Sequence, residues 1–74
     1  MTLDRANRGE KLEIIEIEDS NIRAQALRLG ISEGSCLLCS EKIPSGPIIL
    51  KNMHQEVAVG RNLAKRIKVN RMGS

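Results

Sequence analysis

The chain has 74 residues, a net charge of +3, and no Phe, Tyr or Trp. Its length allows one domain with a small core, burying roughly 60% of the surface its unfolded form exposes, and leaves no room for a catalytic cleft between lobes. Without aromatic rings it cannot build proline-peptide grooves, base-stacking platforms or methyl-ammonium cages.

Charge is unevenly placed. Residues 1–50 carry six basic and eight acidic side chains, net −2, whereas residues 51–74 carry Lys51, Arg61, Lys65, Arg66, Lys68 and Arg71 against Glu56 alone, net +5. A basic segment of this kind points to an acidic partner: a protein face, phosphates or anionic lipid. No secretory h-region opens the chain, and no apolar run approaches the roughly 20 residues of a membrane helix. The expectation is a cytoplasmic protein.

Taken in chain order, residues 1–8 are polar and without period, which predicts a flexible N-terminal arm, with the domain proper spanning 9–70 and a tail at 71–74. From Glu10 to Glu18 apolar and charged residues alternate, but the phase slips at Ile14-Ile15, as in a strand that bulges. Glu16, Glu18 and Asp19 could offer a weak carboxylate site; as a strand's solvent side they need no ligand. Asp19-Ser20-Asn21 supplies N-cap side chains, and Ile22, Ala26 and Leu29 recur at helical spacing. Arg28 suits the last turn and Gly30 the left-handed position beyond it, with Ile31 packing back. Leu27 lies off this stripe.

Cys36 to Ile43 reads as a strand. Three apart on a strand, Cys36 and Cys39 point to opposite faces and cannot share a metal or close an easy disulfide. Cys39 is expected inside, in phase with Leu37 and Ile43. Pro44-Ser45-Gly46-Pro47 breaks the chain. Ile48 to Lys51 and Gln55 to Gly60 form a hairpin around Asn52-Met53-His54, with Val57 and Val59 on one face. Asn62 to Arg66 predicts a helical turn and Ile67-Lys68-Val69 a closing strand. The sum is a mainly β fold, a small five-stranded barrel with one α-helix after the first strand, because closure removes exposed edges.

Leu27-Arg28-Leu29-Gly30-Ile31 with Glu33-Gly34-Ser35 resembles the "LGI…G" signature of the ferrous iron transport protein A (FeoA) family. Gly46-Pro47-Ile48-Ile49, Glu56-Val57-Ala58-Val59-Gly60 and Leu63-Ala64…Ile67-Lys68-Val69 follow in that family's order, over roughly residues 9–70. The resemblance implies an SH3-like barrel acting beside FeoB, a ferrous iron permease with a cytosolic GTPase domain. It also implies kinship with the SH3-like domain that ends the iron-dependent repressors, which keeps a metal-responsive or nucleic-acid-associated regulatory module as the competing class.

Chemistry-bearing residues are sparse. His54 is the only histidine, whereas ferrous sites favour paired imidazoles with a carboxylate. Nothing orients His54 with Cys36 or Cys39 as a base–nucleophile pair, and no GxxxxGK[ST] cradle occurs. Neither catalysis nor a resident cofactor is expected, and iron association only through the pathway. The expected partner surface joins Leu27 and Arg28 at the helix end to Arg61, Lys65 and Arg66, with Leu27 as anchor and the cations as steering charge. It docks protein. With about six cations and no helix-turn-helix, nucleic acid is not the expected partner.

Overall fold

In a computed structural model, residues 1–73 of the chain are described. Strands β1 (Lys11–Glu16), β2 (Cys36–Lys42), β3 (Ile48–Lys51), β4 (Glu56–Val59) and β5 (Lys68–Arg71) form one antiparallel sheet in the order β4-β3-β2-β1-β5. Helix α1 (Ser20–Arg28) follows β1, and a one-turn helix, α2 (Arg61–Ala64), connects the two outer strands. The mainly β, SH3-like arrangement expected from the sequence is present. The barrel is not closed by a ladder, however: among the described residues no strand pairing joins β4 to β5, and α2 spans that gap in the chain.

Local chemistry explains each boundary. Asp19 caps α1, its Oδ1 accepting from the backbone N–H of Asn21 (2.8 Å) and Ile22 (3.2 Å). At the other end Gly30 takes φ +80°; its N–H donates to Leu27 O (2.9 Å), and Ile31 N–H donates to Ala26 O (2.9 Å). This paired pattern satisfies the last carbonyls and brings Ile31 into the core. Between β1 and α1, Ile17 leaves the sheet with its backbone still bonded: its N–H donates to Glu33 Oε2 (2.9 Å), and Arg23 Nη2 donates to its carbonyl (2.6 Å).

The anticipated slip in β1 is a register shift between Ile14 and Glu16 against β5. Ile15 is the extra residue, standing exposed while Leu12, Ile14 and Ile17 all face inward. A second irregularity, between Cys39 and Glu41 against β3, corrects the expectation for Ile43. Leu37 and Cys39 are buried as anticipated, but the shift at Ser40 changes the phase and leaves Ile43 41% exposed just past the strand. With Ile31, Ile48, Leu50, Val59, Ile67 and Val69 these residues make one core, and every buried residue described is apolar or Cys.

The flexible-arm reading of residues 1–8 is wrong. Leu3 and Ala6 have no exposed surface. Leu3–Arg5 forms a 3-10 turn against α2, and Thr2 pairs with Lys68 in an antiparallel bridge flanked by Leu3 N–H→Ile67 O (2.9 Å) and Val69 N–H→Met1 O (2.7 Å). The segment thus covers the outer edge of β5, which answers the edge problem by addition of backbone rather than by closure. Three apolar residues in eight gave no periodic signal, yet two of them, Leu3 and Ala6, are core residues. The far end differs as well: Arg71, assigned to the tail, belongs to β5, and Met72 N–H donates to Lys11 O (2.9 Å).

Candidate functional site

The basic residues singled out in the sequence are mostly engaged within the molecule. Arg61 is half-buried and donates from Nε to Gly46 O (2.7 Å) and from Nη2 to Ile43 O (2.8 Å). It thereby holds the β2–β3 turn, where Ser45 adopts φ +56°. Arg66 faces Asp19 at 3.6 Å, and Lys68 bridges Glu18 (2.7 Å) and Glu16 (3.6 Å). Arg71 pairs with Glu10. The acidic first half and basic last half therefore meet across β1 and β5, and the sequence asymmetry largely cancels in space. The carboxylates considered for metal are the partners of these cations. Lys65 is exposed, with no ion pair among the described residues, on the rim of a polar hollow it shares with Thr2, Glu18, Asp19, Arg66 and Lys68.

These pairs have a pH signature. The backbone N–H of Asn7 and then Arg71 hold the Glu10 carboxyl below its ordinary value, and the hydrogen bond from Lys68 does the same for Glu18. Lys68 is raised in turn by Glu18 and Glu16. A lowered carboxyl contributes stability that is complete above the unfolded value near 4.5 and is lost as pH falls through the folded value. Urea midpoints are expected to drop between pH 5 and 3, and less steeply in a Glu10→Gln/Glu18→Gln variant. Identical slopes would show that the pairs contribute nothing.

Leu27 is 64% exposed and Arg28 is exposed beside it. Both sit at the end of α1 opposite the Asp19 cap that Arg66 contacts, roughly 12 Å along the axis at 1.5 Å per residue. The structure thus brings Leu27 and Arg28 together but sets them at the other end of α1 from Arg66, with Arg61 engaged at the β2–β3 turn. What lies near them is the β3–β4 hairpin, whose Gln55 donates from Nε2 to Leu29 O (3.2 Å).

That hairpin frames a surface that the sequence reading missed. A cleft of about 470 Å³ is lined by Lys11, Cys36, Leu38, Met53, His54 and Met72, together with Leu37 and Asn52. Register explains it: Leu38 lies opposite Lys11 on β1 and Lys51 on β3, on the outward face, while Leu37 and Cys39 face the core. Asn52 Oδ1 accepts from the backbone N–H of His54 (2.9 Å) and Gln55 (3.0 Å) and so shapes the tip, leaving Met53 92% exposed. The available signal was the run Cys36-Leu37-Leu38-Cys39, apolar on both faces of an outer-facing sheet. Among the described residues, no group of three or more His, Cys, Asp or Glu is arranged to hold a metal ion.

The model of the FeoA domain family matches residues 1–71. The chain belongs to the FeoA domain family. Its fold is similar to the crystal structure of an iron uptake regulatory protein (FeoA), with a TM-score of 0.88 and 27% identity over 97% of each chain. No curated protein matches. Membership supports a role in ferrous iron transport, and the match from residue 1 agrees with a domain that includes the first eight residues. No described helix of this FeoA domain is long and apolar enough to cross a membrane.

Proposed function

We propose that this FeoA domain is a non-catalytic accessory protein of ferrous iron uptake that works in the cytoplasm by docking on a FeoB-type permease. The observation that carries the reading is the outward apolar cleft of Leu38, Met53 and Met72 on a domain whose core is already complete. Apolar side chains that add nothing to the core are the natural anchors of an interface, and methionines adapt their shape to a partner. The hydrogen bond from Gln55 to Leu29 links the hairpin tip to the end of α1, so Leu27 and Arg28 extend the surface. Lys65 adds steering charge, whereas Arg61 and Arg66 are tied down and serve the fold first.

The test is binding kinetics against the permease's cytosolic portion. Met53→Ser and Leu27→Ser are each expected to speed dissociation by about tenfold, since a hot-spot truncation costs more than 1 kcal/mol and acts after encounter. Lys65→Glu should instead slow association and flatten its salt dependence. Wild-type kinetics in all three folded variants would place the interface elsewhere on the domain.

A further inference from the structure

A row of side chains crosses the outward face of the sheet from the end of β5 to β4. Met72 N–H donates to Lys11 O (2.9 Å), and in strand register Lys11 lies opposite Leu38, Leu38 opposite Lys51, and Lys51 opposite Glu56. Met72, Lys11 and Leu38 line the cleft, and Lys51 directly precedes Asn52 on its wall. We propose that this row receives an acidic amphipathic helix of the partner, which seats an apolar side chain on Leu38 between two carboxylates, one for Lys11 and one for Lys51. The inference rests on the docking reading only in taking the cleft as an interface, and it names the segment that enters.

Register sets the spacing. Lys11 and Lys51 stand on the strands either side of Leu38, two strand spacings or about 10 Å apart. On a helix, residues seven apart are separated by about 10.5 Å along one face, with the third and fourth residues between them on that same face. A helix laid along the row therefore places an acid, an apolar residue and an acid over Lys11, Leu38 and Lys51 in turn. One further half-period brings another apolar residue to Met72. Both lysines are exposed, and neither makes an ion pair among the described residues, unlike Arg66, Lys68 and Arg71. Met53, 92% exposed on the hairpin tip, supplies an adaptable apolar wall beside the row.

Charge also selects against the other occupants. A second copy of this chain offers only α1 as a helix of sufficient length, and α1 carries Arg23 and Arg28 with no carboxylate between Ser20 and Arg28. An anionic lipid surface would press on Glu56 at the end of the row and on Glu13, the strand partner of Cys36, as much as on the lysines. A helix instead carries its carboxylates only where the lysines stand. This is recognition of a helix by a groove, with the apolar residue as anchor and the two ion pairs fixing its direction and register.

The probe is a fluorescein-labelled, alanine-based helical peptide with glutamates seven positions apart and leucines between them on the same face. It is titrated with the whole chain and read by fluorescence anisotropy. Lys11→Glu and Lys51→Glu are each expected to weaken binding about 3–10-fold, because an exposed attraction becomes a repulsion. Leu38→Ser should weaken it about tenfold. Lys42→Glu, roughly 13 Å farther along β2 and beyond the screening length, should change it less than about twofold. The Lys11→Glu/Lys51→Glu double variant should prefer the same peptide with lysines in place of the glutamates, an exchange that no loss of folding can mimic. Circular dichroism confirms that each variant is folded. Equal affinity of the wild type for the two peptides, no exchange of preference in the double variant, or Met53-dependent binding to phosphatidylglycerol vesicles in place of the peptide would each overturn the proposal. Competition separates it from the docking reading. A permease portion that binds through Met53 but is not displaced by the peptide sinks the acidic helix and leaves docking intact, whereas peptide binding without permease binding does the reverse.

Discussion

Replacing Leu3 by alanine is expected to destabilise the domain by about 2–5 kcal/mol, the range for a fully buried leucine whose cavity cannot collapse. In a domain of this size each kcal/mol moves Tm by roughly 4–8 °C, so the melting temperature should fall by at least about 8 °C. The reason is positional. Leu3 has no exposed surface, lies at the start of a turn packed on α2, and has its own N–H bonded to Ile67 O. Its loss opens a void where the N-terminal segment, α2 and β5 meet. An Arg5→Ala control, changing an exposed side chain of the same turn, should stay within about 0.5 kcal/mol of wild type. Thermal unfolding by circular dichroism decides the matter, and equal midpoints for Leu3→Ala and wild type would return residues 1–8 to the status of a loose arm.

The second large effect is expected at Gly30. Its φ of +80° costs a residue bearing a Cβ on the order of 1–2 kcal/mol. A Cβ there would also lie 2.4 Å from Gln55 Nε2, an impossible contact. Gln55 is flexible at that end and can swing away, but doing so gives up its bond to Leu29 O. Gly30→Ala should therefore cost about 1.5–3 kcal/mol, the sum of backbone strain and one exposed hydrogen bond. A double-mutant cycle separates the two: in a Gln55→Ala background the bond is already gone, and Gly30→Ala should cost only the strain. Full additivity of the two single effects would show that Gln55 and Gly30 do not communicate, and with them the hairpin tip and the end of α1.

How much of this was legible in the sequence depended on whether the governing interaction was local. The α1 cap within Asp19-Ser20-Asn21, which the structure assigns to Asp19, the left-handed Gly30 and the bulge at Ile14-Ile15 all follow from a few neighbouring residues. The burial of Leu3 and Ala6 was not legible, because what buries them is α2 and β5, some 60 residues away in the chain. Ile43 was misassigned because a one-residue slip at Ser40 reverses the face of everything after it. The candidate surface divided in the same way. Leu27 stood out as the residue its own helix could not use, and it is exposed. The basic stretch looked free because its partners, Glu10, Glu16, Glu18 and Asp19, lie in the opposite half of the chain. Met53 and Met72 carried no periodic signal at all; only the register between strands brings them to one cleft.

The central position of β1 also orders events in time. β1 lies between β2 and β5, with ladders to both, so the second partner of the domain's first strand is the domain's last strand. On a ribosome, α1 and the β2–β3–β4 meander can form as they emerge, yet β1 keeps one unpaired edge, and the Thr2–Leu3 segment keeps no partner, until residues 67–71 have cleared the exit. Contacts this distant in sequence make folding slow relative to local structure and leave a sticky edge in the nascent chain. Translation that stalls after β4 therefore yields not a weakened domain but an unfinished one, with β1 exposed to pair with whatever strand comes near.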